Sequence, residues 1–263
     1  MLTFNKFVFI FNDGIIIVSR IIAAIILMLS FPVSSYAEGG RENLKTKKQE
    51  KLYFQVSSYQ YLEPDVMSKV AKLPFFGFGH VGLFDIGGSA VHFNFEGQYG
   101  TTHYNGAGSS GPDETLIFTA NFDKAWQRHR FGFDAGFGYR ILYDFWGHNT
   151  TSRGLATYNR QSEYFYASVG SFIRVKKDRL LKVKYKHLIK GRQTSYVGGR
   201  TGLGSLVKQQ QEGFGVRVEY DLSPKSTAFA DFWDISASDL DLQGRGFYEP
   251  ANKTIQAGLK YSF

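Results

Sequence analysis

The chain has 263 residues, with 31 Lys and Arg against 23 Asp and Glu, a formal charge of +8 and no cysteine. Disulfide stabilisation and thiolate metal centres are thereby excluded. Aromatic residues make up 17% and glycine contributes 29 residues, yet mean hydropathy is only −0.23, so the apolar side chains are dispersed rather than gathered into runs.

The one long apolar run comes first. Residues 21–33 are preceded by Lys6 and Arg20 and followed by Ser34, Ser35, Tyr36 and Ala37, the layout of a secretory signal peptide over 1–37 with cleavage after Ala37. The run is short for a membrane anchor. The rival reading joins 7–33 into one spanning helix, which Asn12, Asp13, Gly14 and Arg20 interrupt. The exported remainder stays basic. That suits membrane lipid and anionic lipopolysaccharide as partners better than nucleic acid, for which no basic cluster carries a motif. Residues 38–50 are charged and read as a periplasmic lead-in.

From 51 to 263 the chain alternates turn-rich breaks with ten stretches of period-two hydrophobicity, each about the length of a membrane-crossing strand. The first, 51–61, sets Leu52, Phe54 and Val56 against Tyr53, Gln55, Ser57 and Tyr59; residues 62–72, with Glu63-Pro64-Asp65, break it. The second, 73–84, is glycine-rich and places His80 toward the lumen. In the third, 91–102, Val91, Phe93, Phe95 and Tyr99 alternate with His92, Asn94, Glu96 and Gln98, and 103–113 is a loop. The fourth, 114–122, turns Leu116, Phe118, Ala120 and Phe122 outward before a turn at 123–127. The fifth, 128–143, is the best phased: Phe131, Phe133, Ala135, Phe137, Tyr139 and Ile141 oppose Gly132, Asp134, Gly136, Gly138 and Arg140.

After a loop at 144–159, the sixth stretch, 160–174, directs Phe165, Ala167, Val169 and Ile173 outward and Tyr164, Tyr166 and Ser168 inward. The seventh, 180–190, opposes Leu181, Val183 and Tyr185 to Lys182, Lys184 and Lys186; its phase also sends His187 outward. A loop at 191–210 precedes the eighth, 211–220, where Phe214, Val216, Val218 and Tyr220 alternate with Arg217 and Glu219. The ninth, 227–235, pairs outward Ala228, Ala230 and Phe232 with inward Asp231 and Trp233, and 236–250 leads to the last. There Ile255, Ala257, Leu259, Tyr261 and Phe263 share one face.

Long and short breaks alternate along this series, as in a transmembrane antiparallel up-and-down β-barrel with surface loops at one end and tight periplasmic turns at the other. An even strand count follows from both ends of the barrel lying on the turn side. Ile255, Leu259, Tyr261 and Phe263 resemble the C-terminal signal strand of Gram-negative outer-membrane barrels, which implies barrel-assembly machinery and periplasmic chaperones as partners during biogenesis. An edge strand of a soluble sheet is the alternative for that segment alone.

Four short motifs extend the resemblance: Tyr59-x-Tyr61-x-Glu63-Pro64-x-x-Met67, Gly138-Tyr139-Arg140, Phe232-Trp233-Asp234-Ile235 and Glu249-Pro250-x-Asn252-x-Thr254. With these the chain resembles a group of ten-stranded outer-membrane barrel proteins of porin-like or opacity-like type. The resemblance implies fold and outer-membrane location and no particular chemistry. It departs at Asp231-Phe232-Trp233, where the group carries Arg-Tyr-Trp, so the inward charge is reversed.

The expected lumen carries both signs: Glu96, Asp134, Glu219 and Asp231 against Arg140, Lys182, Lys184, Lys186 and Arg217. Charges in a narrow barrel must pair or be wetted, and ten strands enclose little more than the eight whose interior side chains fill. A plugged, structural or narrow porin-like interior is one expectation; an anion-favouring conduit along the lysines is another. A surface hydrolase is the enzymatic alternative. Omptin proteases share the ten-stranded plan, and His103, Asp113, Asp144, His148 and Asp239 fall in or beside surface loops, without reproducing a motif. Lipid A deacylases and outer-membrane phospholipases resemble one another in a His-x-Ser pair, and none of His80, His92, His103, His129, His148 or His187 has serine two residues on. Gly77-x-Gly79-x-x-Gly82 fits a dinucleotide fingerprint but lies within a strand, where glycine relieves crowding. Neither a metal-ligand spacing nor a cofactor motif is present in the sequence.

Overall fold

The structure, a computed structural model, describes residues 50–86, 89–106, 112–146, 152–154, 157–176, 179–197, 204–239, 244 and 246–263. The signal peptide expected at 1–37 and the lead-in up to 49 lie outside the described residues. Within them are strands and no helix, hence no helix long and apolar enough to cross a membrane, which leaves crossing by strands untouched.

Twelve segments form one sheet: β1 (Lys51–Glu63), β2 (Met67–Ala71), β3 (Phe75–Ile86), β4 (Ser89–Asn105), β5 (Pro112–Arg128), β6 (Phe131–Phe145), β7 (Asn159–Lys176), β8 (Arg179–Tyr196), β9 (Ser205–Gln210), β10 (Gly213–Asp221), β11 (Ser226–Ile235) and β12 (Asn252–Ser262). β2 and β3 share one place between β1 and β4, and β9 and β10 share one beside β8, so the wall has ten positions. Every pairing is antiparallel. β12 pairs with β1 from Tyr53↔Ser262 to Leu62↔Lys253, which closes the sheet into a barrel.

All ten expected strands are present, and all but the glycine-rich second are phased as their hydrophobic period demands. On β1, Tyr53, Gln55, Ser57 and Tyr59 are buried inside, whereas Leu52 is half exposed on the outer wall. On β6 the outward Phe131, Phe133 and Phe137 are 65%, 54% and 55% exposed, and no second layer of described residues covers them. Ile255, Leu259, Tyr261 and Phe263 line the outside of the closing seam in the same way. The wall is therefore apolar outside and polar within, the reverse of a soluble domain.

Two readings need correction. His80 stands on the outer wall: it pairs with Leu52 and Phe95 and its ring lies 5.1 Å from that of Phe93. The glycine-rich stretch around it has no clear alternation, because its inward positions Gly77 and Gly79 carry no side chain. The first break, expected to run from 62 to 72, is a three-residue turn with Asp65 at φ 62°, followed at once by β2. Similarly β4, β5, β6, β8 and β9 continue into stretches expected to be loops. Strands of 15 to 18 residues exceed the roughly 9–11 that cross a bilayer. The surplus rises at the loop end and builds a second storey of barrel there.

Glycine relieves crowding in the wall, most clearly for function at Gly79 and Gly138. The Tyr53 ring lies across Gly79, where a Cβ would come within 2.1 Å of it, and Tyr166 lies across Gly138 in the same manner. Each ring covers bare backbone and carries its hydroxyl onward: Tyr53 Oη donates to Asn94 Oδ1 at 2.9 Å and Glu96 Oε2 at 3.1 Å, and Tyr166 Oη to Asn121 Oδ1 at 2.7 Å.

Candidate functional site: the filled lumen

Because inward residues recur at every second position on ten strands, the lumen collects their side chains in layers. Two layers are apolar. Tyr59, Tyr61, Met67, Phe75, Tyr104, Ile117, Leu142 and Trp146 form one buried cluster, and Tyr164, Tyr166, Leu188, Trp233 and Ile235 another. Between and around them lie three groups of charges.

The first group occupies the loop end. Lys69 Nζ bonds Asp113 and lies 3.0 Å from Asp144 Oδ2; Arg160 bonds Glu63, reaches Asp144 Oδ2 at 3.1 Å and Glu249 Oε1 at 3.1 Å; Lys208 Nζ reaches Glu249 Oε2 at 3.0 Å. These three cations and four carboxylates come from six strands and one connecting segment, and none has a side chain more than 5% exposed. Tyr61 donates to Glu63 at 2.8 Å and lies 4.6 Å beneath the Arg160 guanidinium, while Thr115 donates to Asp144 at 2.8 Å. Charges this dry persist only when so heavily paired.

The second group is at mid-height. Arg217 grips Glu96 through both Nη atoms, with Nη2 to Oε2 at 3.1 Å, and its Nε donates to Glu219 at 3.0 Å. Lys260 lies 2.8 Å from Glu219 and 3.4 Å from Glu96. Lys186 donates to Asp231 at 2.7 Å over the Trp233 ring, and Arg217 passes within 3.9 Å of Asp231. Asp231, the reversed charge in the ninth expected strand, is thus met by two cations. The third group, toward the turn end, is Lys184 between Asp123 at 2.7 Å and Asp134 at 3.0 Å, and it is wetter, with Lys184 21% exposed.

Of the expected lumen residues, Glu96, Lys186, Arg217, Glu219 and Asp231 are brought together, and Asp134 with Lys184 form part of the separate lower group. Two stand apart from ion pairs among the described residues. Arg140 donates to Thr254 Oγ1 at 3.3 Å and lies 5.3 Å from the Trp233 ring; Lys182 is exposed, within electrostatic range of Glu219. Asp123 and Lys260 belong to the network but were not expected there. Asp123 sits on β5, which runs on through the expected turn, and Lys260 was legible from its phase on the closing strand.

The strand order exposes a geometric regularity. Counting round the ten positions, Glu63 on β1 and Arg160 on β7 face each other across the full width, as do Glu96 on β4 and Arg217 on β10, and Thr254 on β12 and Arg140 on β6. Each pair is bonded. Three arginines at different heights therefore bar the lumen along three different diameters.

Among the described residues, those considered for hydrolysis do not assemble. His103 is exposed on the outer wall, while Asp113 and Asp144 point inward and are held by Lys69; Asp239 accepts from Gln211 at 2.6 Å on the surface, and His148 lies outside the described residues. No group of three or more His, Asp or Glu among the described residues is placed to hold a metal ion.

No protein-family model matches the chain, and no curated protein matches it. Solved structures with a similar outline include the outer membrane protease OmpT of Escherichia coli, at TM-score 0.44 and 11% identity over 84% of this chain and 99% of that one. Ail, the attachment invasion locus protein of Yersinia pestis, in complex with the heparin analogue sucrose octasulfate, gives 0.36 and 9% over 83% and 100%. The toluene transporter TbuX of Ralstonia pickettii gives 0.34 and 10% over 81% and 77%. These are likenesses of outline at low identity, and the chemistry of this chain rests on its own residues.

Proposed function

We propose that this protein is an integral β-barrel of the Gram-negative outer membrane, non-enzymatic, with a sealed interior that serves structure and surface display rather than conduction. The three diametric arginine bonds carry the reading. A narrow barrel crossed at three heights by bonded side chains, with aromatic layers packed between them, leaves no continuous file for hydrated solute. The lysine ladder that would favour anions is largely neutralised, since Lys184 and Lys186 are both paired with carboxylates.

The apolar outer wall supports the membrane setting. Side chains such as Phe133, Phe137 and Val169 are more than half exposed in the isolated chain, a condition that hydrocarbon relieves without a second protein layer. Tight turns face the periplasm and the longer strand extensions face outward. The closing strand, with Ile255, Leu259, Tyr261 and Phe263 on its outer side, presents the surface that barrel-assembly machinery would engage.

Planar-bilayer recording of the refolded chain tests the sealed lumen: we expect no stable single-channel steps above the lipid background. A large, persistent conductance would overturn it.

A further inference from the structure

The turn end of the barrel carries a charge pattern that the lumen does not use. Lys51 at the start of β1, Arg130 in the β5–β6 turn, Arg174, Lys176 and Arg179 around the β7–β8 turn, and Lys225 in the β10–β11 turn all lie at this end. Five are exposed and Arg179 is half-buried. None of the six forms an ion pair among the described residues, in contrast to the closely paired cations of the interior. The turns that bear them are neighbours round the rim, and the Arg174 amide donates to the Arg130 carbonyl at 2.8 Å, so the arc is held as one surface.

Described acid is sparse there. Among the described side chains the carboxylates at this end are Glu50, Asp221 and, inside the wall, Asp123 and Asp134. Asp221 accepts from the Leu180 amide at 3.2 Å and the Thr227 hydroxyl at 2.8 Å, and Asp123 and Asp134 are held by Lys184. Among the described side chains, exposed cations therefore outnumber carboxylates along this rim.

Immediately above it the outer wall is apolar and aromatic. Trp126, Phe131, Val175, Leu222, Tyr261 and Phe263 are between 40% and 74% exposed, and Lys225 Nζ lies 5.9 Å over the Tyr261 ring. Aromatic side chains under a fringe of cations match a boundary where acyl chains give way to phosphates. A soluble anion would meet the cations and leave the rings unused, whereas a lipid headgroup engages both.

We propose that this arc binds the anionic headgroups of phospholipids in the leaflet at the turn end, and so selects acidic lipid around the barrel. The proposal rests on the membrane reading above and adds to it a lipid class and a place. Bilayer insertion needs only the apolar wall. Selection between headgroups needs the six cations.

The test uses the full chain refolded into vesicles of equal phosphatidylglycerol and phosphatidylethanolamine, with the lipids that remain bound identified by native mass spectrometry. We expect phosphatidylglycerol to be enriched roughly fivefold or more, the factor one Lys or Arg contributes at an anionic surface. The combined variant Arg130→Gln, Arg174→Gln, Lys176→Gln, Arg179→Gln and Lys225→Gln should lose the enrichment while keeping heat-modifiable gel mobility. A second variant, Lys190→Gln with Arg192→Gln on the loop-side outer wall, should keep it. Equal retention of both lipids by the native chain overturns the proposal, as does enrichment that survives the five substitutions or disappears with the other two. Binding to acidic peptidoglycan fragments without any lipid preference overturns it in favour of a glycan. A chain that inserts but does not discriminate leaves the membrane reading standing; one that fails to insert removes both.

Discussion

The loop-end and turn-end charge groups are built from the same side chains and differ in water. At the loop end seven charged groups, at most 5% exposed, are joined through Lys69, Arg160 and Lys208 into one connected set. At the turn end Lys184 holds Asp123 and Asp134 with 21%, 9% and 14% exposure, close to a rim that opens to solvent. A dry group must be paired completely, because each unpaired member would keep the full cost of its dehydration; a wet one can let water substitute for a lost partner. The barrel is accordingly tightest where its strands extend furthest, and loosest beside its short turns.

Removing Arg160 is the severest way to break that contrast. Arg160→Met leaves Glu63 without its cation and strips one from Asp144 and Glu249, and the barrel should lose about 3–5 kcal/mol in urea unfolding from lipid vesicles. A loss below about 1 kcal/mol would mean that water enters the loop end freely.

An outer-wall change sharpens the comparison from the other side. Phe137→Arg sets an uncompensated cation against the apolar belt and should cost at least about 2 kcal/mol in the same measurement. If it were neutral in lipid, the outer wall would not be facing hydrocarbon.

The smallest effect belongs to the turn-end group. Lys184→Met should cost about 1 kcal/mol or less, and added salt should shrink the difference from the native chain, because the group is reachable by counterions. The Arg160→Met deficit should barely respond to salt. Equal salt sensitivity of the two variants would erase the distinction between the regions.

Local order was plain in the sequence wherever phase and turn chemistry agreed. The fifth expected strand is legible because phenylalanines alternate with small or charged residues along its length, and the closing strand because its apolar face is unbroken. The glycine-rich second strand misled at His80, since glycines on the inward face erase the alternation that would have shown which way it points. Extended loops hid much of the site. Glu63, Lys69, Asp113, Asp144, Lys208 and Glu249 all fall in stretches that look like loops, where proline, glycine and polar residues outnumber the apolar ones. The motifs Tyr59-x-Tyr61-x-Glu63 and Glu249-Pro250-x-Asn252-x-Thr254 contain two of these six, Glu63 and Glu249, without revealing that they converge on Arg160.

By itself the sequence determined the barrel: a period of two, ten times repeated, with an apolar face that alternates against a polar one, dictates a closed sheet whose outside is greasy. Only the tertiary structure decided which charges meet. Partners such as Glu63 and Arg160, or Glu96 and Arg217, are separated by about a hundred residues or more of chain and by half the circumference of the wall. Alternation says that a side chain points inward; strand count, register and the narrowness of the closed barrel determine what it finds there.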